Sequence, residues 1–237
     1  MMKDIYNDYT YLKNNPGWHE EDAPFKAVEI LKLLKKIEGA FKTVCDIGCG
    51  TGEILVQLSK KLAADIRFYG FDISEQAISI AKNKATDRLH FECKNLAQNP
   101  EHFYVDVLLV IDVIEHINDY FGFLNAVANK GRYTVFHIPL DISVWSLFRE
   151  QMLIESKERV GHIHNFTEDF IKSILKDYGY KVLAQSYTEP TFETVSAKQK
   201  IVNRIRKLLF RINKRFCTKF IGGYSILLLT ENNARPV

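Results

Sequence analysis

A glycine-rich loop between a predicted strand and a predicted helix constrains the fold of this chain more than any other feature. The apolar stretch Thr43 to Ile47 is typical of a buried strand, and Gly48, Gly50 and Gly52 follow it before a helical stretch from about Thr51 to Ala63. Glycine permits positive φ and lets a ligand approach bare backbone, while the N-terminus of the helix offers unpaired N–H donors. The loop therefore predicts a ligand site, although a tight turn that binds nothing can show the same pattern.

Strand-like and helix-like stretches alternate along the rest of the chain, which predicts an α/β fold with a parallel, doubly wound, Rossmann-like sheet. A helix at about Phe25 to Ile37 precedes the first strand, and Pro139 is expected to end the fifth. The further strands are predicted at Ile66 to Phe71, Leu89 to Cys93, Val105 to Ile111, Tyr133 to Ile138, Lys181 to Thr188 and Tyr224 to Thr230. The further helices are predicted from Ser74 to about Lys84, from Phe121 to Asn129 and from Thr167 to Tyr178.

Composition excludes several classes of protein. Among the 237 residues no run of eighteen apolar residues occurs, and the N-terminus is polar, so neither a transmembrane span nor a secretory signal is expected. The four cysteines match neither a disulfide framework nor a zinc pattern, which favours reduced thiols and a cytoplasmic location. We expect an N-terminal extension over residues 1–40 and one domain over 41–237, with insertions at about 139–166 and 190–221.

Two carboxylates beside the glycine loop narrow the ligand. Asp46 precedes the loop, and Glu53 stands where a dinucleotide-binding loop would have its last glycine, so both would repel a pyrophosphate. Asp72 ends the second strand, where a carboxylate can accept both hydroxyls of a ribose or cap the next turn. An adenosine that carries a cationic amino-acid tail meets these demands.

The residues Asp46, Gly48, Cys49, Gly50 and Gly52 match the D-x-G-C-G-x-G motif of class I S-adenosylmethionine-dependent methyltransferases. The chain resembles that family from about residue 40 to residue 231, which implies seven strands, the last antiparallel, and S-adenosylmethionine as the cofactor. By this resemblance Asp46 and the loop backbone contact the methionine portion.

The same resemblance implies that Asp72 binds the ribose hydroxyls and that Ile73 covers one face of adenine. The family often has an acidic residue after the third strand to receive the adenine amino group. Here Asn95-Leu96 occupies that position, and an Asn carbonyl oxygen can accept the same hydrogen bond.

The stretch Asp112-Val113-Ile114-Glu115-His116 follows the fourth strand and resembles the D-V-I-E-H segment of the small-molecule branch, including ubiquinone-type O-methyltransferases. There the Asp position flanks the cofactor and the Glu-His pair faces the acceptor. His116 is therefore a candidate base or orienting group, because imidazole titrates near neutral pH. The alternative is a group that caps the next helix and braces the loop.

His162 and His164 precede the Thr167 helix, in a stretch similar to H-x-F-T segments of the same enzymes. In an extended segment their side chains fall on one side, which favours lining of the substrate pocket or packing at the helix entry. A metal site with two His ligands lacks a third ligand of suggestive spacing, so the sequence predicts no metal.

Two further segments, residues 15–26 and residues 198–219, have a distinctive composition. Residues 15–26 combine turn formers, Trp18 and an acidic cluster, and indicate either a lid over the site or a Trp-anchored extension. Lys198 to Lys219 carries nine Lys/Arg and no Asp/Glu; since the whole chain is +3, the remainder is −6. Apolar residues recur there at helical spacing, so either the apolar face packs on the sheet edge or the helix binds anionic lipid, a lipid-linked sugar or nucleic acid.

We therefore predict a methyltransferase that acts most readily at oxygen on a small-molecule or lipid-linked acceptor, in the cytoplasm or peripherally at a membrane. Nucleic acid is the less favoured partner, because the position after strand four lacks the N/D-P-P-Y/F motif of enzymes that methylate amino groups. The alternatives are an RNA or protein methyltransferase that uses the basic insertion, a NAD-dependent oxidoreductase and a cofactor-binding module without turnover.

Overall fold

The computed structural model describes residues 17–18, 20–98, 103–189 and 197–232, and side chains in the last range from residue 200 onward. The strands are β1 (Thr43–Ile47), β2 (Arg67–Asp72), β3 (Leu89–Cys93), β4 (Val105–Ile111), β5 (Gly131–Leu140), β6 (Tyr180–Thr188) and β7 (Tyr224–Asn232). The helices are α1 (Ala23–Leu34), α2 (Glu53–Ser59), α3 (Glu75–Lys82), α4 (Tyr120–Val127), α5 (Val144–Leu147), α6 (Gln151–Val160), α7 (Glu168–Asp177) and α8 (Ala197–Ile212). A short helical turn at Lys214–Phe216 and a π-helical turn at Cys217–Ile221 follow α8.

The seven strands form one sheet in the order β3-β2-β1-β4-β5-β7-β6. Strands β1 to β5 pair in parallel with their neighbours, whereas β7 runs antiparallel to both β5 and β6. This confirms the predicted Rossmann-like methyltransferase fold. The strand order reverses between β1 and β4, and open α/β sheets bind their ligands at the carboxyl ends of the strands beside such a reversal.

Both faces of the sheet are covered, which explains why β4 is apolar at nearly every position. Leu108 and Val110 belong to the core under α4 and α7, while Val107 and Leu109 belong to the opposite core under α1, α2 and α3. Alternate residues of a strand point to opposite faces, so a strand buried on both sides has to be apolar throughout.

Pro139 does not end β5 as predicted. The strand runs to Leu140 and pairs with β7 through Pro139↔Ser225. The His137 carbonyl accepts the Asp112 N–H on the β4 side. Pro139 lies two residues further, so its nitrogen faces the same side, beyond the end of β4, where no ladder hydrogen bond is lost.

The apolar stripe of α8 faces away from the body of the protein. Phe210 is buried, and Arg206 donates to the Gly222 carbonyl at 2.6 Å, so this side of the helix contacts the sheet domain. Ile205 and Ile212 on the opposite side are 53% and 73% exposed. The interpretation in which the apolar face packs on the sheet edge is therefore wrong. The helix is also shorter than the predicted segment, because Asn213 caps a separate turn.

Candidate active site

The glycine loop holds the backbone in a conformation that suits a bound ligand. The N–H groups of Gly48 and Cys49 donate to the Phe71 carbonyl at 2.7 and 3.1 Å, which joins the loop to β2. Gly50 and Gly52 have φ of +53° and +77°. A Cβ atom at Gly52 would lie 2.3 Å from the Phe91 ring, whereas one at Gly50 would meet nothing within 4 Å. The loop is thus packed at Gly52 and open at Gly50.

Asp72 connects the glycine loop to the next turn. Its Oδ2 accepts the Gly50 N–H and its Oδ1 accepts the Ser74 N–H, both at 2.8 Å. Asp72 therefore caps the turn that follows β2, which was one of the two alternatives. Each of its carboxylate oxygens still has a second lone pair that can accept from a ribose hydroxyl. Ile73 beside it is 51% exposed, and its contact with adenine stays a prediction.

Asp46 is a buried acid whose Oδ1 has no hydrogen-bond partner among the described residues. Burial raises the pKa of Asp46 well above its ordinary value, and the neighbouring Asp72 and Asp112 carboxylates raise it further. Removing a carboxylate from water without a partner is costly. A cationic ligand at the ends of β1, β2 and β4 would compensate this charge, and S-adenosylmethionine carries both an ammonium and a sulfonium group.

Three residues predicted at the cofactor site use their side chains elsewhere. Leu96 is buried in the core, and the Cys49 thiol is also buried, so only their backbones are available to a ligand. The Asn95 Oδ1 accepts the Gln98 N–H at 3.3 Å and so stabilises the turn after β3. The predicted adenine contact of Asn95 remains a prediction.

Asp112 is the centre of a hydrogen-bonded chain that joins four elements. Its Oδ1 lies 2.5 Å from His137 Nδ1, and its Oδ2 accepts from Lys26 Nζ at 2.7 Å. His137 Nε2 in turn lies 2.8 Å from Thr188 Oγ1. Burial opposes ionisation of Asp112, but His137 and Lys26 overcome it and hold the pKa of Asp112 well below its usual range. Sequence reasoning missed Lys26 and His137, which lie 86 and 25 residues away from Asp112.

The structure brings Glu115, His116 and His162 together beside Asp112. The imidazole rings of His116 and His162 meet edge to face with centroids 5.1 Å apart, and His116 Nε2 lies 3.9 Å from Glu115 Oε1. His116 Nδ1 is 3.1 Å from the Gly161 carbonyl, and His162 Nδ1 is 2.9 Å from Asp141 Oδ2. This places two predicted catalytic residues at one site.

His164 takes a different place from His162. Its Nε2 lies 2.9 Å from the Ile117 carbonyl, and its ring packs against Tyr120 and Phe166. These contacts brace the turn after β4 against the segment before α7. A catalytic role for His164 stays a prediction, and its contacts favour the packing alternative.

The described part of the N-terminal segment is fastened to the cofactor loop. Lys84 Nζ donates to Glu20 Oε1 at 2.7 Å and to Glu53 Oε2 at 2.9 Å. Together with the Lys26–Asp112 ion pair, this holds the start of α1 next to the ends of β1 and β4. Asn15, Pro16 and His19 of the predicted lid lie outside the described residues.

Burial of His116 should make folding stability depend on pH. Burial and the nearby His162 lower the pKa of His116 from 6.5 to about 4. The unfolded chain therefore takes up a proton that the folded chain refuses, and the contribution of His116 to stability falls as pH drops from about 6.5 toward 4. The full difference would be about 3 kcal/mol, at 1.36 kcal/mol per pKa unit.

We expect His116→Gln to reduce this loss when denaturant unfolding is measured at pH 4.5 and pH 7. The exposed His90 offers a matched control, and His90→Gln should keep the wild-type difference between the two pH values. An unchanged difference in the His116 variant would contradict the buried, neutral state of this imidazole.

Comparison with known proteins identifies the family of this chain. A family model described as a methyltransferase domain matches residues 18–185, which is more than half of the chain. The chain therefore belongs to this family of methyltransferase domains. No curated protein matches the sequence.

Solved structures with the same fold come from several organisms. The magnesium protoporphyrin IX methyltransferase ChlM from Synechocystis PCC 6803, with bound S-adenosylhomocysteine, is 18% identical, with a TM-score of 0.58 over 98% of this chain and 89% of that one. The N-methyltransferase NodS from Bradyrhizobium japonicum WM9, bound to the same product, is 15% identical, with a TM-score of 0.61 over 98% and 100%. A chain from the Haloferax volcanii complex between the Trm112 methyltransferase activator and a methyltransferase is 14% identical, with a TM-score of 0.70 over 99% and 100%.

The protein is an S-adenosylmethionine-dependent methyltransferase, and the site accommodates this cofactor. Asp46 offers a buried carboxyl oxygen, Oδ1, that has no hydrogen-bond partner among the described residues, and Gly50 leaves open space over the loop. When bound, the cofactor supplies an electrophilic methyl group. Within the part of the chain that the structure describes, no helix combines the length and apolar character needed to cross a membrane.

Proposed function

We propose that this methyltransferase transfers the methyl group to a hydroxyl oxygen of a small-molecule acceptor, and that the acceptor is held at an anionic lipid surface. The observation that carries the first part is the buried Glu115–His116–His162 cluster beside Asp112. Such a cluster can receive a polar group next to the cofactor.

In methyl transfer the main task of the protein is to align the methyl donor with the acceptor oxygen. The acceptor oxygen attacks the methyl carbon in line with the breaking carbon–sulfur bond, and the hydroxyl proton has to leave. His116, with a pKa of about 4, is neutral at neutral pH and can accept a hydrogen bond from the hydroxyl group. His162 lines a groove with Leu153 and Lys157 of α6, which gives the acceptor an approach to the cluster.

The similar solved structures are compatible with either oxygen or nitrogen as the atom that receives the methyl group. ChlM is named for a small-molecule substrate, and NodS is named as an N-methyltransferase. A panel of hydroxylated and aminated small molecules, incubated with a ¹³C-methyl-labelled cofactor, would separate the two, since the chemical shift of the transferred methyl carbon reports its bonding partner. Transfer to oxygen supports the proposal, and transfer to nitrogen alone contradicts it.

On the preferred acceptor, we expect His116→Gln to lower turnover by at least about tenfold, because the hydroxyl group loses an oriented partner. Cofactor affinity should stay near the wild-type value, since the contacts of His116 with Gly161, Glu115 and His162 lie on the acceptor side that we propose. Steady-state kinetics together with calorimetric titration would measure both quantities, and His90→Gln serves as the control. Wild-type turnover in the His116 variant would restrict that residue to a structural role.

The lipid surface is supported by the two faces of α8 that turn away from the body. One face is apolar, and the neighbouring side is basic, which is the pattern of a helix that lies in a membrane interface. The exposed apolar side chains are Ile201, Val202, Ile205, Leu208, Leu209 and Ile212, and the exposed basic ones are Lys200, Arg204, Lys207 and Arg211.

Helix α5 extends this apolar surface. It packs against the π-helical turn that follows α8. On α5 and just after it, Leu147 and Phe148 are 58% and 82% exposed, and Phe216 and Phe220 near the π-helical turn are each 46% exposed. Exposed apolar side chains bounded by Lys and Arg fit an anionic bilayer, whereas RNA would pair with the basic side and leave the apolar stripe in water.

Sedimentation with vesicles tests this surface. The wild-type protein should bind vesicles that contain phosphatidylglycerol and should bind phosphatidylcholine vesicles much more weakly. Replacing both Ile201 and Ile205 with Ser should weaken vesicle binding by about tenfold or more, since apolar burial contributes about 25 cal/mol per Å². Ile80→Ser on α3, which is 37% exposed, is the matched control.

Three results would contradict the lipid surface. The first is equal sedimentation of the double variant and the wild type. The second is binding to an RNA oligonucleotide without binding to vesicles. The third is a concentration-dependent dimer that the double variant abolishes, because the apolar stripe would then pair two copies of the chain.

A further inference from the structure

We propose that Glu115, His116 and His162 bind a divalent first-row transition cation next to the cofactor site. Each of the three offers one ligand atom, and these atoms lie within 4.8 Å of one another. Atoms bound to one such cation at about 2.0–2.2 Å are at most about 4 Å apart. Small side-chain adjustments would therefore bring all three onto a single ion.

Both histidines already have the hydrogen bonds that orient metal-binding imidazoles. A metal-binding His usually donates its other ring N–H to a carboxylate or a backbone carbonyl, which fixes the tautomer. His116 Nδ1 faces the Gly161 carbonyl at 3.1 Å, and His162 Nδ1 faces the Asp141 carboxylate at 2.9 Å. In this tautomer Nε2 of each ring carries the lone pair that a cation would bind. Sequence spacing could not reveal this pairing, because 45 residues separate His116 from Gly161.

Glu115 supplies the third ligand and the negative charge. Its side chain is fully buried, and neither carboxylate oxygen has a hydrogen-bond partner among the described residues. Its backbone carbonyl accepts from the N–H groups of Ile163 and His164, so the Glu115 turn and the His162 segment are held together. A bound dication would compensate the charge of this buried carboxylate.

Two imidazoles and one carboxylate suit Zn²⁺ or Mn²⁺ better than Mg²⁺, which prefers oxygen ligands and retains its water. The role of the cation rests on the proposed oxygen methylation. An acceptor hydroxyl bound to the cation loses its proton to solvent more readily, and its oxygen then attacks the methyl carbon. The carbon–sulfur bond breaks, its electron pair stays on sulfur, and S-adenosylhomocysteine leaves. With a cation bound, His116 would be one of its ligands, and the cation would replace His116 as the group that orients the acceptor hydroxyl.

Cation binding by the full-length protein tests the inference without any acceptor. After treatment with a chelator, titration with MnCl₂ or ZnCl₂ to a large excess should raise Tm by about 5 °C or more, and MgCl₂ should act weakly. His162→Gln and Glu115→Gln should remove this rise. Asp141→Asn should weaken binding by about tenfold, because it removes the charge of the carboxylate that, together with Ser156 Oγ, orients His162. His90→Gln should bind as the wild type does, and S-adenosylhomocysteine affinity should be unchanged in every variant.

The outcomes separate this inference from the proposed function. Cation binding that survives His162→Gln, or no binding by the wild type, would overturn the metal site. Oxygen methylation that persists in excess chelator would leave the proposed function intact and overturn the role of the cation. Cation binding accompanied by transfer to nitrogen alone would keep the metal site and contradict the proposed function.

Discussion

Replacing Asp46 with Asn is expected to weaken S-adenosylmethionine binding by about 100-fold and to make the cofactor-free protein more stable. Asp46 is 1% exposed, and its Oδ1 lacks a hydrogen-bond partner among the described residues. The cofactor ammonium would pair with this carboxylate, and removing one member of a buried pair costs about 3 kcal/mol at the low end of its range, which corresponds to about 100-fold in affinity. Asparagine keeps the size and one acceptor oxygen, so the loss of affinity reports the charge.

The gain in stability has a definite pH dependence. The pKa of Asp46 in the folded protein is raised, so the stability contributed by this group is present at low pH and lost as pH rises through the folded pKa. The Asn variant should therefore gain most over the wild type at neutral and alkaline pH. Calorimetric titration and denaturant unfolding measure the two effects.

Asp106→Asn is the control for this experiment. Asp106 is an acid at the opposite end of the sheet whose Oδ2 accepts the N–H groups of Lys42 and Thr43. Its replacement should lower stability and leave cofactor affinity unchanged. Unchanged affinity in Asp46→Asn would remove Asp46 from the cofactor site.

The sheet could be predicted because its central strands are buried on both faces. Two strands have the predicted bounds, Val105–Ile111 and Thr43–Ile47. A continuous apolar run of this length is typical of a strand that is buried on both faces of a parallel sheet. The end of β5 could not be predicted from the sequence. Pro139 is tolerated inside β5 because the neighbouring strand β4 has already ended, so the missing N–H of Pro139 has no partner to lose. Local sequence does not state where that neighbour ends.

Part of the candidate site could likewise be predicted from the sequence, and part could not. The glycine loop and Asp72 are adjacent in the sequence or joined by one strand–helix unit, so their motif carried the prediction. Lys26 and His137 were missed because their link to Asp112 exists only after folding. The approach of His162 to Glu115 likewise depends on the segment before α7, whose Ile163 and His164 N–H groups donate to the Glu115 carbonyl after β4.

The outward apolar face of α8 shows why periodicity alone was ambiguous. Helical spacing of apolar residues indicates an amphipathic helix but not which side of it meets the protein. Phe210 and Arg206 decide that question through tertiary contacts. Neither residue interrupts the sequence pattern that suggested packing on the sheet edge.

Replacing Gly50 with Asn should abolish measurable cofactor binding, a loss of about 1,000-fold or more, while the fold is retained. Gly50 has φ of +53°, a conformation that Asn adopts at a cost of about 1 kcal/mol. A Cβ at Gly50 meets nothing within 4 Å, so the new side chain would occupy the space over the loop that we assign to the cofactor. The loss exceeds that expected for Asp46→Asn because steric exclusion removes several contacts at once.

Gly39 provides a matched control for the same substitution. It has φ of +87° and open space around its Cβ position, and it lies before β1, at the end of that strand opposite to the glycine loop. Gly39→Asn should cost similar stability and bind S-adenosylhomocysteine as the wild type does. Calorimetric titration of both variants, with circular dichroism to verify folding, gives the comparison. A folded Gly50→Asn protein with wild-type affinity would show that the cofactor does not lie over this loop, and the assignments of Asp46 and Asp72 would then fail with it.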